Sequence, residues 1–152
     1  MPEPDSSSVF TTSPGPPLIG ALLRIPWEAV QRRMLAALHE HGFDDLDLAH
    51  LSVFQYPGPQ GARPSELAAR LRVSKQALNY LLGELERLGY LERRPDPDDL
   101  RSKRVELTPR GTSAIGVIRE AVGELETKWA RQLGSERFAE LRDLLRELNA
   151  LS

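Results

Sequence analysis

Between Ser74 and Leu88 the chain puts two kinds of chemistry on opposite sides of one segment. Leu78, Leu81, Leu82, Leu85 and Leu88 recur at helical period and form an apolar face. Lys75, Gln76, Asn79 and Tyr80 lie away from it, with the small Ala77 among them. Gln and Asn carry the donor and acceptor pair that matches the adenine edge in a DNA major groove. Lys75 suits a guanine or a phosphate, and Tyr80 a phosphate or the sugar backbone. Ser74 stands where an N-cap is needed. The plainer alternative is a solvated helix face, as most polar helix faces are.

A second group of cations follows. Arg93, Arg94, Arg101, Lys103 and Arg104 surround the run Pro95-Asp96-Pro97-Asp98-Asp99. Residues 90–94 leave the helical period, and Arg104-Val105-Glu106-Leu107-Thr108 alternates polar and apolar, which is strand period. The pair reads as a β-hairpin with a long charged tip. Arginine is drawn to narrow minor grooves, where the negative potential is enhanced, and Arg101 is placed to reach one. One of the acids in the tip can clamp the loop by pairing with an arginine. The alternative is an ordinary surface hairpin of mixed charge.

These side chains need elements to hold them. Leu18 to His41 is apolar at helical spacing, with Pro26 predicting a kink or a second helix start. Leu46 to Tyr56 is a short helix candidate, stopped by Pro57-Gly58-Pro59. Pro64 to Leu71 begins with proline in its first turn, and the chain breaks at Arg72-Val73 before Ser74. Two short helices, a tight break and a charged hairpin give the order of a winged helix-turn-helix, whose second helix enters the major groove. Ala114, Ile115, Ile118, Val122, Leu125 and Trp129 then mark a long amphipathic helix. Gly134-Ser135 breaks it, and Ser135 is expected to cap a last helix.

The expected fold class is mainly α with a small β-hairpin wing (α+β). A flexible arm, rich in Pro, Ser and Thr, is expected over residues 1–17. Residues 18–45 would be the N-terminal helices of a dimerisation module, 46–111 the winged lobe, and 112–152 the C-terminal helices of that module. Leu141, Leu144, Leu145, Leu148 and Leu151 exceed one narrow stripe. A two-fold partner would bury them and set two recognition helices roughly 34 Å apart. Packing of the same leucines onto the lobe is the alternative.

Composition narrows the classes. The chain has 152 residues, 28% of them charged, and a net charge of −2. The average hides an asymmetry: residues 61–111 hold 11 Lys+Arg against 8 Asp+Glu, net +3, while both flanks are acidic. Local charge steers partners, not the total. With no cysteine, disulfides, thiolate metal sites and thiol sensing are excluded. No apolar run approaches the roughly 20 residues of a membrane span. No secretory signal is recognisable at the start, so a cytoplasmic, nucleoid-associated protein is expected. There is no Gly-rich phosphate loop, nucleophile elbow or Ser/His/Asp spacing, so an enzyme is not expected. His39, His41 and His50 meet no metal-ligand spacing, and neither metal nor cofactor is expected.

Ser65-Glu66-Leu67-Ala68, Val73-Ser74-Lys75-Gln76 and Leu85-Glu86-Arg87-Leu88-Gly89-Tyr90 resemble the helix-turn-helix of the multiple-antibiotic-resistance regulators, the MarR family. Asp99-Leu100-Arg101, continuing to Leu107-Thr108-Pro109-Arg110-Gly111, resembles that family's wing signature. The resemblance implies a homodimeric transcriptional regulator, a repressor on a near-palindromic operator in double-stranded DNA. It places Lys75, Gln76, Ala77, Asn79 and Tyr80 on the DNA-contacting stretch, Arg101 on the minor-groove wing position, and Asp99 as the wing acid that pairs with arginine; Ser74, Arg94 and Lys103 are expected to contact DNA beside them. It also implies release by a small aromatic ligand in a crevice that Trp27, His50, Phe54 and Tyr56 would line, although such residues are often plain core. Two departures stand out. Arg72 occupies a turn position usually held by Gly or Asn, and Tyr80 a position often held by Arg. The competing class is a winged helix used for protein contact, whose tip would more often be apolar. A regulator with no effector is a further alternative.

Overall fold

A computed structural model describes residues 15–55 and 58–152. Most of the arm expected over residues 1–17, and Tyr56, lie outside the described residues. The element order is α1 (Ile19–Glu40), α2 (Leu48–Leu51), α3 (Pro64–Leu71), α4 (Lys75–Arg87), β1 (Leu91–Asp96), β2 (Asp99–Leu107), α5 (Pro109–Leu133) and α6 (Ser135–Leu151). The architecture is a helical frame holding one two-stranded antiparallel hairpin.

Helix α1 runs through Pro26 as a single element, so the proline neither ends nor restarts it. Residues 22–27 are exposed, and water can reach the carbonyl that proline leaves without a donor. Only the second half of α1 reaches the core, through Met34, Ala37 and Leu38. Helix α2 is a single turn rather than the expected 46–56. Asp47 caps it by accepting from the amides of Ala49 and His50. Val53 and Phe54 are buried, but from a turn beyond the helix.

The core gathers Leu38, Leu46, Leu51, Leu67, Leu78, Leu82, Leu85, Tyr90, Leu91 and Val105. Helices α3 and α4 pack on each other with β1 and β2 beside them, and α1 packs along α5. The hairpin pairs Leu91 with Leu107 and Arg93 with Val105, and its register shifts between Pro95 and Asp96. The expected long tip is corrected: β2 begins at Asp99, so only Pro97 and Asp98 separate the strands. The connector before α3 also joins the sheet edge, as Gly61 and Val105 exchange backbone hydrogen bonds with Val105 and Ala62, 2.7 and 2.9 Å.

Helix α5 starts on Thr108, whose hydroxyl accepts from the amide of Gly111 and donates to the carbonyl of Gly89. A Cβ on Gly111 would lie 1.9 Å from the carbonyl oxygen of Tyr90, so no side chain fits there. This explains the glycine of the wing signature: the first turn of α5 meets the chain entering β1 at backbone distance. Gly134 separates α5 from α6 and is the N-cap residue of α6; Ser135 supplies no cap, contrary to expectation.

Candidate nucleic-acid interface

The turn between α3 and α4 sits on Arg72, whose φ of 54° and ψ of 40° are left-handed. Among the described residues it is the one non-glycine with positive φ. The turn therefore keeps its shape and accepts the strain that an L side chain brings, about 1–2 kcal/mol. Two residues later the Ser74 hydroxyl accepts from the amide of Ala77 at 3.0 Å and caps α4. That cap fixes the phase of the helix. Leu78, Leu82 and Leu85 turn into the core, while Lys75, Gln76, Ala77, Asn79 and Tyr80 are exposed. The start of α4 therefore offers free backbone amides and the positive end of its dipole, which suits an anion.

Two groups on this face are held from behind. The Tyr80 hydroxyl donates to Glu84 Oε1 at 3.1 Å, and Glu84 Oε2 lies 3.1 Å from His50 Nε2. The hydrogen bond to Glu84, and then its charge, raise the pKa of the phenol above the ordinary tyrosine value. Arg93 on β1 pairs with Glu86 at 2.7 Å and reaches Asn79 Oδ1 at 3.4 Å. The acceptor oxygen of Asn79 thus faces the hairpin, and its amino group is the part left to face outward.

The wing is fixed by a different acid from the one expected. Asp96 is fully buried. Its carboxylate lies 2.7 Å from Arg63 Nε and 2.9 Å from Arg104 Nε, and accepts from the Asp98 amide. Burial alone pushes its pKa up; the Asp98 amide, Arg104 and Arg63 outweigh this and bring it down to about 2. The register shift at Pro95/Asp96 turns this side chain inward. Asp99 instead faces outward and accepts from the backbone amide of Arg101 at 3.1 Å, so its expected pairing with an arginine side chain is corrected.

Arg101 and Lys103 are exposed on β2, and no ion pair among the described residues engages them or Lys75. Arg94 differs: its guanidinium lies 2.6 Å from Glu92 and 3.4 Å from Glu106. Leu100, beside Arg101, is 82% exposed.

A network built on the buried Tyr90 anchors the base of this lobe. The Tyr90 hydroxyl donates to Asp45 Oδ1, and Arg110 donates to Asp45 Oδ2 at 3.0 Å. The Arg110 guanidinium also sits 4.3 Å from the centre of the Tyr90 ring and donates to the Leu88 carbonyl. Burial and the neighbouring carboxylate hold the Tyr90 phenol well above its ordinary range. These residues tie the loop after α1 to the end of α4 and the start of α5. Nothing local in the sequence marked them, since Asp45 lies 45 and 65 positions from its partners.

A crevice of about 920 Å³ lies between α1, the segment after α2 and α5, with Trp27, Phe54, Met34, Ile118 and Val122 on its walls. Trp27 and Phe54 were expected there. His50 was too, and is corrected: it is buried and turned toward α4, with both ring nitrogens engaged. His39 and His41 face the carbonyls of Leu46 and Ala37. No cluster of three His, Asp or Glu side chains able to hold a metal occurs among the described residues, and no described helix is long and apolar enough to cross a membrane.

Residues 44–102 match the model of the MarR family. That span carries the capped helix pair and the wing. That segment of the chain is similar to the MarR family. The chain's relatives include the HTH-type transcriptional regulator YkoM of Bacillus subtilis strain 168, 30% identical over 92 residues, 60% of this chain. The match spans 58% of the length of that relative. The transcriptional regulator Tm0710 from Thermotoga maritima is 29% identical, with a TM-score of 0.58 over 88% of this chain and 92% of that one. Wild-type MarR from E. coli shares the fold at 24% identity, with a TM-score of 0.66 over 89% of this chain and 98% of that one. The MarR fold thus extends beyond the matched segment to the long helices that frame it.

Proposed function

We propose that this chain is a DNA-binding transcriptional regulator of the MarR family, a repressor that holds a near-palindromic operator as a homodimer. The observation that carries the reading is the trio Lys75, Arg101 and Lys103. In an acidic protein whose other hairpin cations are paired to carboxylates, these three have no ion pair among the described residues, at the start of α4 and along the wing. Phosphates are the partner such charges suit, with α4 in the major groove and Arg101 in the minor. The crevice supports release by a small aromatic acid. Its walls are more apolar than polar, and Arg119 among its lining residues can meet a carboxylate.

The test is fluorescence anisotropy against duplex DNA at two salt concentrations. Affinity should fall steeply with salt. Arg101→Ala should weaken binding by about tenfold and make that slope shallower. The second reading, a protein-contact winged helix, draws support from Leu100, an apolar residue at the wing tip. A folded protein that binds no duplex at low salt would favour it.

A further inference from the structure

We propose that Tyr80 reads an exocyclic amino group in the major groove, the N4 of cytosine or the N6 of adenine, through a hydroxyl oxygen that can only accept. The proposal rests on the DNA-binding reading above and sharpens it to one position of the operator. It reverses the expectation that this tyrosine meets a phosphate.

The argument is one of hydrogen-bond polarity. A backbone amide can only donate and a carboxylate can only accept. The Asp47 amide donates to His50 Nδ1 at 3.1 Å, which leaves the proton of the ring on Nε2. Nε2 then donates to Glu84 Oε2 at 3.1 Å. Asp47 Oδ1 is also close to Nδ1, at 3.2 Å, yet with a doubly protonated ring Nε2–H would still face Glu84. Only Glu84 Oε1 remains, and Tyr80 must donate to it, at 3.1 Å. The phenolic proton therefore points back along α4, and the lone pairs of the oxygen point outward.

Tyr80 is placed to use them. It is 67% exposed and lies one turn after Gln76, so both share a face of α4. With Ser74, Ala77 and Leu81 these two residues line a shallow concavity at the start of the helix. In the major groove, phosphate oxygens, thymine O4 and the guanine O6 and N7 are all acceptors. An acceptor facing them gains nothing. Cytosine N4 and adenine N6 are the donors available there, so the preset hydroxyl selects for them. Glu84 and His50 act as positioning residues through the tyrosine. His50 belongs to α2, so the orientation of a reading group on α4 is set from a neighbouring element.

The test is selection from a randomised duplex pool, followed by anisotropy on the recovered sites. The wild-type protein should prefer C or A at one position of each half-site, and T or G there should weaken binding about fivefold. Tyr80→Phe, at an exposed position, should erase that preference and leave every other position and the salt slope unchanged. Glu84→Leu frees the proton, and T or G at the same position should then be tolerated. Thermal melting of both variants confirms that the fold is kept. The proposal is overturned if Tyr80→Phe weakens all sequences equally, as loss of a phosphate contact would, or changes nothing. Failure of the wild-type protein to bind any duplex is a separate result: it removes the DNA-binding reading itself, and the Tyr80 proposal with it.

Discussion

Asp96 shows how one side chain can set the shape of a recognition element. It has no access to solvent, yet it lies between two guanidiniums and a backbone amide that favour its charge. Its pKa is brought from the ordinary 3.8 down to about 2 in the folded protein. A depressed folded value means the contribution is fully present above the unfolded pKa and lost as pH falls through the folded one. Unfolding by urea should therefore show stability declining between about pH 4 and pH 2. Asp96→Asn should be less stable at neutral pH and should flatten that decline, because the titrating group is gone. An unchanged acid limb in the variant would mean that another carboxylate carries it. The sequence offered three acids in this tip, and alternation alone could not choose among them. The choice is made by the shift between Pro95 and Asp96, which turns one side chain inward toward Arg63 at the start of α3.

At the scale of the element, α4 combines a good start with a weak middle. Ser74 caps it and three buried leucines anchor it, but Gly83 sits within it. Glycine in a helix interior costs about 1 kcal/mol against alanine. A Cβ at this position meets nothing within 4 Å. Gly83→Ala should accordingly raise the unfolding free energy by about 1 kcal/mol, read from urea denaturation, with DNA affinity unchanged. A loss of affinity would show that α4 adjusts at Gly83 when it seats in the groove. This helix was legible in the sequence because its signals are local: a cap, a period and a glycine stop. Elements whose limits depend on distant packing were less so. Val53 and Phe54 look helical by spacing, yet they are buried from a turn. The outer half of β2 carries Leu100, Arg101, Ser102 and Lys103 in exposed or half-exposed positions, so no apolar alternation announced a strand. The Asp45–Tyr90–Arg110 network joins three remote segments and leaves no pattern in any of them.

For the whole molecule, the apolar surface is distributed unevenly. Leu18, Ile19, Leu22 and Ile25 are exposed at the start of α1, as are Leu141, Leu144, Leu148 and Leu151 on α6. These residues lie on the two elements that frame the lobe, and their burial by a second copy is the basis of the proposed homodimer. Leu144 is 56% exposed and Leu148 40%, and neither belongs to the core of the lobe. Leu144→Glu with Leu148→Glu should leave that core intact while placing two charges in the interface, where burial without a partner is costly. Sedimentation equilibrium should show the wild-type protein as a dimer and the double variant as a monomer, with the helical circular dichroism of the lobe retained. The consequence for DNA follows from linkage of the two reading heads. When both engage one operator, the second binds at the high effective concentration set by the first. A monomer loses that gain, so operator affinity should drop by about a hundredfold or more, while contact with a single half-site stays near its intrinsic strength. A wild-type protein that remains monomeric at micromolar concentration would contradict the two-fold arrangement. Equal loss on whole operators and single half-sites would show instead that the two charges disturb the lobe.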